Sequence, residues 1–463
     1  MEAIIISLFV LGYLAITLEH SLKIDKLIPA LIMMAVMWAV ISLGIGDVNT
    51  WFDSALHGMI EGFSMFTDVE KSHILEGSLI HHLGKTAEIL VFLIGAMTIV
   101  EIIDYFDGFS TINKFVRSRS KRKILWLFSG LAFFLSAIID NLTATIVLIS
   151  ILQKLIADRE SRLMYVGMIV IASNAGGAWS PIGDVTTTML WIGNKVSAFH
   201  LFEYLLLPSM MCLAVPLLIA SFMPTFRGRF APLIASEIPE NPHSSKMLYL
   251  GLGAIVFVPI FKTITHLPPY VGMMLSLGVV AAFAELFSST KFNLSGVQKD
   301  EQPDKATHGP VHQSLSKIEL PSILFFLGIL MAVAALESMG LLFEFATAMR
   351  NALPMVGTEL PTAPVSDLVV ILLGFSSSVI DNVPLVAASL GMFAEPMDSP
   401  IWHFIAYAAG TGGSMLVIGS AAGVVAMGME KINFFWYLKK ISWLALFGFL
   451  AGALVFVFMR SII

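Results

Sequence analysis

Apolar stretches of about 20 residues, the length that a helix needs to cross a bilayer, recur along this chain and restrict its fold more than any other feature. Of its 463 residues, 57% are hydrophobic and 13% are charged, whereas a soluble domain averages about 25% charged residues. The alternating polar and apolar pattern of a membrane β-barrel is missing from the sequence. The sequence therefore predicts an all-α polytopic membrane protein.

Besides the spanning segments given below, three segments mix polar and apolar residues, which predicts amphipathic helices along the membrane surface. These are segments 105–122, 196–204 and 430–440. The candidate spanning segments are about 4–18, 27–44, 88–103, 162–195, 205–223, 247–262, 270–288, 320–338, 400–429 and 441–459.

Composition also excludes several classes of function. The single cysteine, Cys212, rules out an internal disulfide and any Cys-based redox or metal motif. The net charge of −6 is modest and indicates no nucleic-acid partner. Motifs of zinc proteases, serine hydrolases and ATP-driven pumps are missing, so we expect neither an enzyme nor a bound cofactor.

Two similar strings each place an Asp-Asn pair inside an otherwise uncharged apolar stretch. SAIIDNLTATIVL contains Asp140, the only charge in 124–153, and SSVIDNVPLVAAS contains Asp381, the only charge in 368–394. A carboxylate inside a bilayer costs at least ~2.5 kcal/mol, so it is rarely placed there without a function. Two of them in matching settings predict a duplicated ion site.

The similarity between the two parts of the chain extends beyond these pairs. Residues 172–195, ASNAGGAWSPIGDVTTTMLWIGNK, align without a gap with residues 408–431, AAGTGGSMLVIGSAAGVVAMGMEK. A duplication of this size is typical of transporters built from two related repeats. We predict a first repeat at 1–230 and a second at 231–463, which contains a polar linker at 289–317.

The charges that flank the Asp-Asn segments predict that the two repeats are inverted. Basic residues lie on both sides of 124–153, whereas no Lys or Arg occurs between 351 and 430. Positive residues mark the cytoplasmic side. We therefore predict re-entrant hairpins at 124–153 and 368–394, which enter from opposite sides and meet near the midplane. Legs of about 15 residues rise ~22 Å, enough to reach past it. The alternative is two ordinary spanning helices, each with one buried aspartate.

Glycines and one proline predict breaks in two further helices, 162–195 and 400–429. Such breaks free carbonyl groups and helix ends to coordinate ions. The residues expected to break the helices are Gly176, Gly177, Pro181 and Gly183 in the first repeat, and Gly412, Gly413 and Gly419 in the second.

Each hairpin tip and its paired break supply the oxygen ligands that a hard cation such as Na⁺ favours. A carboxylate that holds either a proton or a cation couples the two by competition, which is the minimal chemistry of cation/proton exchange. The alternative for any single serine or threonine is a hydrogen bond to a helix backbone. We expect Na⁺ at Asp140, Asn141, Asn174, Asp381 and Asn382. The other candidate ligands are Thr143, Ser180, Asp184, Thr186 and Thr187 in the first repeat, and Ser376, Ser377, Ser378, Thr411, Ser414 and Ser420 in the second.

The two sets are not equivalent, because Asp184 aligns with Ser420. The repeat is therefore functionally asymmetric, and we expect the first half to hold the cation more tightly. Outside these sets, the region 53–85 contains His73, His81 and His82. We interpret it as a solvated loop with an amphipathic helix; the alternative is a pH-sensing or metal-binding function.

At these residues the chain resembles the NhaD-type sodium/proton antiporters of the ion transporter superfamily. The resemblance extends over nearly the whole chain, and ASNAGGAWSPIGDVTTTMLWIGNK is its most specific part. It implies a multi-pass protein of the bacterial inner membrane that exchanges Na⁺ or Li⁺ for H⁺. It also implies a homodimer in the lipid bilayer, with a scaffold and an elevator-type transport domain formed by 124–195 and 368–429.

The resemblance includes kinship with divalent-anion/sodium symporters, whose hairpin tips carry Ser-Asn-Thr. The tips here read Asp-Asn-Leu-Thr and Asp-Asn-Val-Pro, and a titratable Asp in place of Ser favours proton exchange. The alternative function is a sodium-coupled anion symporter of the dicarboxylate type. That function would favour cationic groups or unpaired amide donors near the tips, and neither hairpin core contains Lys or Arg.

Overall fold

The computed structural model describes residues 1–54, 58–115, 118–230, 241–288, 309–352 and 366–462. Helices dominate these ranges; Phe52–Asp53 and Gly58–Met59 pair as short antiparallel strands. Within the described ranges, seven helices are long and apolar enough to cross a membrane, as judged by length and composition. This agrees with the predicted all-α membrane protein.

The helices follow one another closely along the chain. Up to residue 230 they are α1 (Glu2–Thr17), α2 (Glu19–Leu22), α3 (Leu27–Leu43), α4 (Asp68–Tyr105), α5 (Lys121–Ile139), α6 (Asn141–Leu155), α7 (Arg159–Gly177), α8 (Val185–Ile192) and α9 (Ala198–Phe222). Beyond it they are α10 (Ser244–Thr265), α11 (Pro269–Ser288), α12 (Pro310–Leu315), α13 (Leu320–Ser338), α14 (Leu341–Ala352), α15 (Asp367–Ser377), α16 (Asn382–Met392), α17 (Pro400–Gly412), α18 (Ala421–Glu430), α19 (Phe434–Lys440) and α20 (Ser442–Arg460).

Two helix boundaries differ from the predictions. Helix α4 starts far before the predicted span at 88–103, because Thr67 and Glu70 form a capping box at its first turn. The prediction of a surface helix at 196–204 was wrong: Ser197 caps α9 by accepting from the backbone N–H of His200, and the same helix continues into the apolar run.

The other two predicted surface segments each contain a short helical element, and part of the predicted linker lies outside the described residues. A 3₁₀ stretch at Gly108–Phe115 lies in the predicted surface segment 105–122, and α19 lies in 430–440. Residues 289–308 of the predicted linker are outside the described residues. The rest of that segment includes the six-residue α12.

The helices form two groups by their contacts. In one group α3 packs along α13, and α1, α4, α10 and α11 join them; in the other α5 packs along α7, α15 along α17 and α20 along α9. The indole N–H of Trp38 donates to the Met331 carbonyl at 2.8 Å and ties α3 to α13. Asp140, Asp184 and Asp381 lie between helices of the second group, at a cavity that helices of the first group also line.

Helices α5 and α6 fold back on each other. The Tyr165 hydroxyl donates to the carbonyl of Lys121 at 2.8 Å, and the Arg162 guanidinium donates to the carbonyl of Ile156 at 2.7 Å. These donors are about one turn apart on α7, so the start of α5 and the end of α6 lie beside the same end of α7. The junction at Asp140 lies at the other end.

The aligned strings make matching contacts in the two parts of the chain. The Ser136 hydroxyl donates to the Ser173 carbonyl at 2.6 Å, and the aligned Ser377 donates to the Ala409 carbonyl at 2.7 Å. The two breaks also match, since α8 and α18 start from extended cap residues with φ of −150° and −148°. The sequence similarity therefore corresponds to similar local packing.

Aligned glycines explain how closely these helices approach. A Cβ added at Gly176 would collide with the carbonyl oxygen of Phe133, and one at the aligned Gly412 would collide with that of Gly374. A side chain at either position would force two helices apart. The contacts within the breaks match too: a Cβ at Gly177 would lie 2.6 Å from the Gly183 carbonyl oxygen, and one at Gly413 would lie 2.6 Å from that of Gly419.

Candidate functional site

The carboxylate of Asp184 is the centre of a buried polar cluster. Asp184 is 2% exposed and caps α8, where its Oδ1 accepts from the backbone N–H and hydroxyl of Thr186 at 2.9 and 2.8 Å. Its Oδ2 accepts from the side-chain amide of Asn141. The amide of Asn382 lies 3.3 Å from the same oxygen. The cap of one interrupted helix thus meets residues from both Asp-Asn pairs.

Asn174 extends this cluster to the second interrupted helix. Its Oδ1 accepts from the Asn141 amide at 3.1 Å. Its own amide donates to the hydroxyls of Ser414 and Ser420 at 2.9 and 2.8 Å. Asn174 is completely buried, so these bonds satisfy a polar group that would otherwise be costly to bury. One connected network therefore joins both breaks.

Asp140 caps the helix that follows it. Its two carboxylate oxygens accept from the backbone N–H and the hydroxyl of Thr143, each at 2.9 Å. Asp140 has a φ of 76° and a ψ of 158°, a strained backbone conformation that is almost restricted to glycine. This backbone geometry separates α5 from α6 at the tip.

Asp381 occupies the aligned position but has a different environment. Pro384 aligns with Thr143 and has neither a backbone N–H nor a hydroxyl, and Asp381 makes no side-chain cap bond to α16. Its carboxylate instead lies 3.5 Å from the ammonium group of Lys26. The two aspartates are therefore related by alignment but differ in their partners.

Lys26 is the site residue that sequence reasoning missed. It precedes α3 and is distant in sequence from either Asp-Asn pair. In the sequence it is indistinguishable from a lysine that anchors a helix end at the membrane surface. The hairpin cores contain no Lys or Arg, but Lys26 brings a cation to the second tip from the segment before α3.

These groups line a small cavity of about 70 Å³. One water molecule needs about 10–15 Å³, so there is room for a small ion with part of its hydration shell. Apolar side chains of α4, α10, α11 and α13 line the cavity as well. The polar lining includes Lys26, Asp140, Asn141, Asp184, Thr188, Ser322, Asp381 and Asn382.

Two larger cavities lie along α4, one on each side of the small cavity. One of about 540 Å³ contacts α4 from His81 to Ile89 and also contains Glu337 and Lys195. The other, of about 380 Å³, contacts α4 from Met97 onward. Three cavities therefore follow one helix in order, with the carboxylates in the middle.

The 380 Å³ cavity is the one that adjoins the carboxylates. Met97 and Leu142 line both this cavity and the small one. It also contains Glu101, Lys154 and Lys317. A displacement of these two apolar side chains would connect the small cavity with the larger one.

Several predicted ligands make backbone hydrogen bonds instead. The Thr187 hydroxyl donates to the Asp184 carbonyl at 2.9 Å, and the Thr411 hydroxyl donates to the Tyr407 carbonyl at 2.6 Å. Ser376 and Ser378 likewise donate to carbonyls of their own helix segment, and Ser377 to that of Ala409. Ser180 lies in the first break and is buried, with its hydroxyl 3.4 Å from the Ile182 N–H. The Thr188 hydroxyl donates to the carbonyl of Pro181 at 2.9 Å.

The predicted Na⁺ ligands lie around one centre. Asp140, Asn141, Asp381 and Asn382 line the small cavity, and Asn174 is bonded to Asn141 behind it. Among the described residues, no group of three or more His, Cys, Asp or Glu side chains is arranged to hold a metal ion. An ion here would therefore depend on amide, hydroxyl and carbonyl oxygens besides carboxylates.

The histidine-rich region has other contacts. The rings of His81 and His82 lie 5.7 Å apart. Nε2 of His82 lies 3.1 Å from the hydroxyl of Ser54 and 3.3 Å from that of Ser338. These contacts tie α4 to α13 beside the 540 Å³ cavity.

Comparison with known proteins relates the whole chain to membrane transporters. The profile of the family described as "Citrate transporter" (CitMHS) matches residues 13–403. "Sodium/proton antiporter 1" of Arabidopsis thaliana is 41% identical over 96% of this chain and 70% of its own length. "Sodium/proton antiporter 2" of the same plant is 39% identical over 97% of each chain. "Na(+)/H(+) antiporter NhaD" of Vibrio cholerae is 30% identical over 93% of this chain and 86% of its own.

The fold also resembles a solved structure. The YdaH transporter of Alcanivorax borkumensis, whose crystal structure was described as an unusual topology, superposes with a TM-score of 0.60. The match covers 94% of this chain and 98% of that chain at 13% sequence identity. At this identity the likeness concerns the fold alone.

Proposed function

Since this chain is a multi-pass membrane protein that belongs to the citrate transporter family and, within it, to the NhaD-type sodium/proton antiporters, we propose that it exchanges Na⁺ for H⁺. The observation that carries the proposal is the small cavity that Asp140, Asp184 and Asp381 line together. We include Li⁺ as a second transported cation, because it is a hard ion with the same preference for oxygen ligands.

In the proposed exchange the carboxylates hold either the cation or protons. Asp184 is the main cation ligand, because it is buried and bonded to Asn141 and Thr186. When Na⁺ occupies the cavity, protons leave the carboxylates; when protons return, the negative charge that held the ion is lost and Na⁺ departs. The competition couples the two fluxes without a covalent step.

The proposed architecture is a pair of inverted repeats with re-entrant hairpins, and several observations support it. Lys121 and Ile156 lie beside the same end of α7, as a hairpin of α5 and α6 requires. The matching contacts of Ser136 and Ser377 support the repeat. We further propose that segments 124–195 and 368–429 move as an elevator-type transport domain against a scaffold that includes α3 and α13.

We propose the bacterial inner membrane as the location and a homodimer as the assembly. Exchange there would use the proton gradient of the membrane to expel Na⁺. The basic flanks of 124–153 would face the cytoplasm.

The test is a transport assay in everted vesicles from a host that lacks its own Na⁺/H⁺ antiporters. After a pH gradient has formed, Na⁺, Li⁺, K⁺ or citrate is added, and recovery of a pH-sensitive dye is recorded. We expect Na⁺ and Li⁺ to dissipate the gradient in wild-type vesicles. Asp140→Asn should abolish this response while the protein remains in the membrane. Full exchange by this variant would contradict competition at the cavity.

A second candidate is sodium-coupled transport of an anion such as a dicarboxylate or tricarboxylate. The observation that favours it is Lys26, which brings a positive charge into the cavity. Its ammonium group lies near Asp381, however, and three carboxylates line the same cavity. Uptake of labelled citrate that requires Na⁺, without any response to Na⁺ alone, would favour this candidate.

A further inference from the structure

Lys26 and Asp381 form an ion pair inside the cavity, although they come from different groups of helices. The ammonium nitrogen lies 3.5 Å from Oδ2 of Asp381, and the two side chains are 25% and 17% exposed. The ammonium group also lies 4.5 Å from the centre of the Phe325 ring, a favourable cation–π position. Lys26 is thus held in place by the cavity wall and is not a freely solvated surface lysine.

The position of Lys26 is fixed by the helix that it precedes. Helix α3 packs closely on α13, where a Cβ added at Gly328 would lie 2.8 Å from the carbonyl carbon of Ala30. The bond from Trp38 to Met331 ties the same two helices at another level. Asp381 lies instead on the helix pair α15 and α16. The ion pair therefore joins an element of the proposed scaffold to an element of the proposed transport domain.

The second tip requires an external cation because it lacks the donors of the first. Thr143 gives the Asp140 carboxylate two hydrogen bonds, whereas the aligned Pro384 gives Asp381 neither. An ionised carboxylate in apolar surroundings must be paired or hydrogen-bonded. Lys26 supplies that partner.

Among the described residues that line the cavity, the Lys26–Asp381 pair leaves two carboxylates without a cationic partner. Three carboxylates and one ammonium group line it, so the cavity carries a net charge of −2 when all three carboxylates are ionised. The ionisable groups that face Lys26 are Asp381 beside it and Asp140 and Asp184 across the cavity; Tyr13 of α1 adjoins Asp381. The neighbouring Asp25 accepts from the N–H of Leu27 outside the cavity.

We propose that Lys26 is a tethered cation that neutralises Asp381, so that Asp140 and Asp184 alone exchange Na⁺ and protons. It is a positioning residue that lowers the affinity of the cavity for both cations and thereby allows the ion to leave. This inference rests on the proposed function. The pair must also separate whenever the second tip moves relative to α3.

The experiment replaces Lys26 with a neutral and with a charged residue. For Lys26→Gln we expect the apparent KM for Na⁺ to fall on the order of tenfold, because a positive charge a few Å from the bound ion has been removed. Maximal exchange rate should fall as well, since a more tightly held ion leaves more slowly. The activity–pH curve should move to higher pH, because the more negative cavity also holds its protons more tightly. Lys26→Arg should keep the wild-type values.

The matched control is Lys23→Gln, three residues away on an exposed position; its KM and pH curve should not change. A second variant approaches the pair from the other side. Pro384→Thr offers Asp381 the donors that Thr143 gives Asp140. It should weaken the hold of Lys26 and move KM and the pH curve in the direction opposite to Lys26→Gln, because the freed ammonium group then faces Asp140 and Asp184.

The outcomes separate this inference from the proposed function. If wild-type vesicles show no response to Na⁺, the exchange itself is refuted. If they respond and Lys26→Gln shows the wild-type KM and pH curve, the tethered cation is refuted. Should Lys26→Gln fail to reach the membrane, an unchanged KM and pH curve in Pro384→Thr refutes it.

Discussion

The side-chain amide of Asn141 donates to the carboxylate of Asp184, which joins the tip between α5 and α6 to the first turn of α8. The same amide donates to Asn174. Asn141 therefore uses both of its amide protons within the network. This arrangement holds the Asp184 carboxylate at the wall of the cavity.

Asp184→Asn should reduce Na⁺-dependent exchange at least about tenfold, because a neutral amide neither attracts the cation nor releases a proton on its arrival. The rate is measured by dye recovery in everted vesicles, with the amount of membrane-inserted protein determined in parallel. Asp25→Asn, outside the cavity, is the control and should retain the wild-type rate. A wild-type rate in Asp184→Asn would show that the carboxylate has no part in coupling.

The tight contacts of the aligned glycines predict a stability effect. Gly176→Ala and Gly412→Ala should each destabilise the protein by about 1–3 kcal/mol, because the added methyl group meets a backbone carbonyl that cannot move aside. Gly130→Ala, on α5 itself, meets nothing within 4 Å. It should stabilise by about 0.5–1 kcal/mol through its helix propensity. Thermal unfolding of the purified protein in detergent compares the three; equal midpoints would contradict the close packing.

The residues of the buried polar cluster could be predicted because they lie in short, unusual sequence strings. An aspartate in an uncharged apolar stretch, or an Asn beside a pair of glycines, is informative without any knowledge of the tertiary fold. Asp140, Asn174 and Asp184 were found in this way, and they lie together. The matching contacts of Gly176 and Gly412 likewise follow from the gapless alignment.

Other features of the site depend on how helices that are distant in the sequence pack together, which short sequence strings do not show. Lys26 lies more than 350 positions before Asp381, and only the packing of α3 on α13 brings it to the cavity. Nor does composition distinguish a threonine that faces an ion from one that bonds its own helix, as Thr411 does. The start of α9 was misplaced because the polar residues of its first turns resemble a surface helix, whereas the cap by Ser197 begins the helix there.

Arg162 and Glu430 form a buried bidentate pair between the start of α7 and the end of α18. Arg162 Nε and Nη2 donate to the two carboxylate oxygens at 2.7 and 3.0 Å, and Glu430 is 3% exposed. Glu430→Gln should destabilise the protein by about 3–5 kcal/mol, because it leaves a guanidinium group largely buried without its counter-charge. The unfolding midpoint measures this effect. Glu160→Gln, exposed on the same helix, should change it little.

A double variant tests whether the ion pair itself stabilises the protein or whether the single variant is unstable only because one charge is left unpaired. Arg162→Met with Glu430→Met removes both charges and should cost less than Glu430→Gln alone, because no unpaired charge remains. A double variant that is less stable than the single one would assign the stabilisation to the further bond of Arg162 to the Ile156 carbonyl.

Asp398 joins the loop before α17 to the first turn of α9, outside the spanning segments. Its carboxylate accepts from the backbone N–H of Ser197 at 2.6 Å and lies 3.2 Å from Nδ1 of His200. Nε2 of His403 lies 3.5 Å away. Partial burial would raise the pKa of Asp398, but the nearby His403 ring and hydrogen bonding from Ser197 outweigh it and lower that pKa to about 2.

A carboxyl group whose pKa is lower in the folded state than its unfolded value of about 3.9 stabilises the protein above that value and loses this contribution as the pH falls through the folded pKa. Asp398→Asn should therefore lower the unfolding midpoint at pH 5–7. The difference from wild type should shrink below about pH 4 and be mostly lost near pH 2. Asn tolerates the φ of 60° at this position, so the variant changes the charge and not the backbone. Asp25→Asn serves as the control, and a difference for Asp398→Asn that stays constant down to pH 2 would show that the stabilisation does not come from the ionised carboxylate.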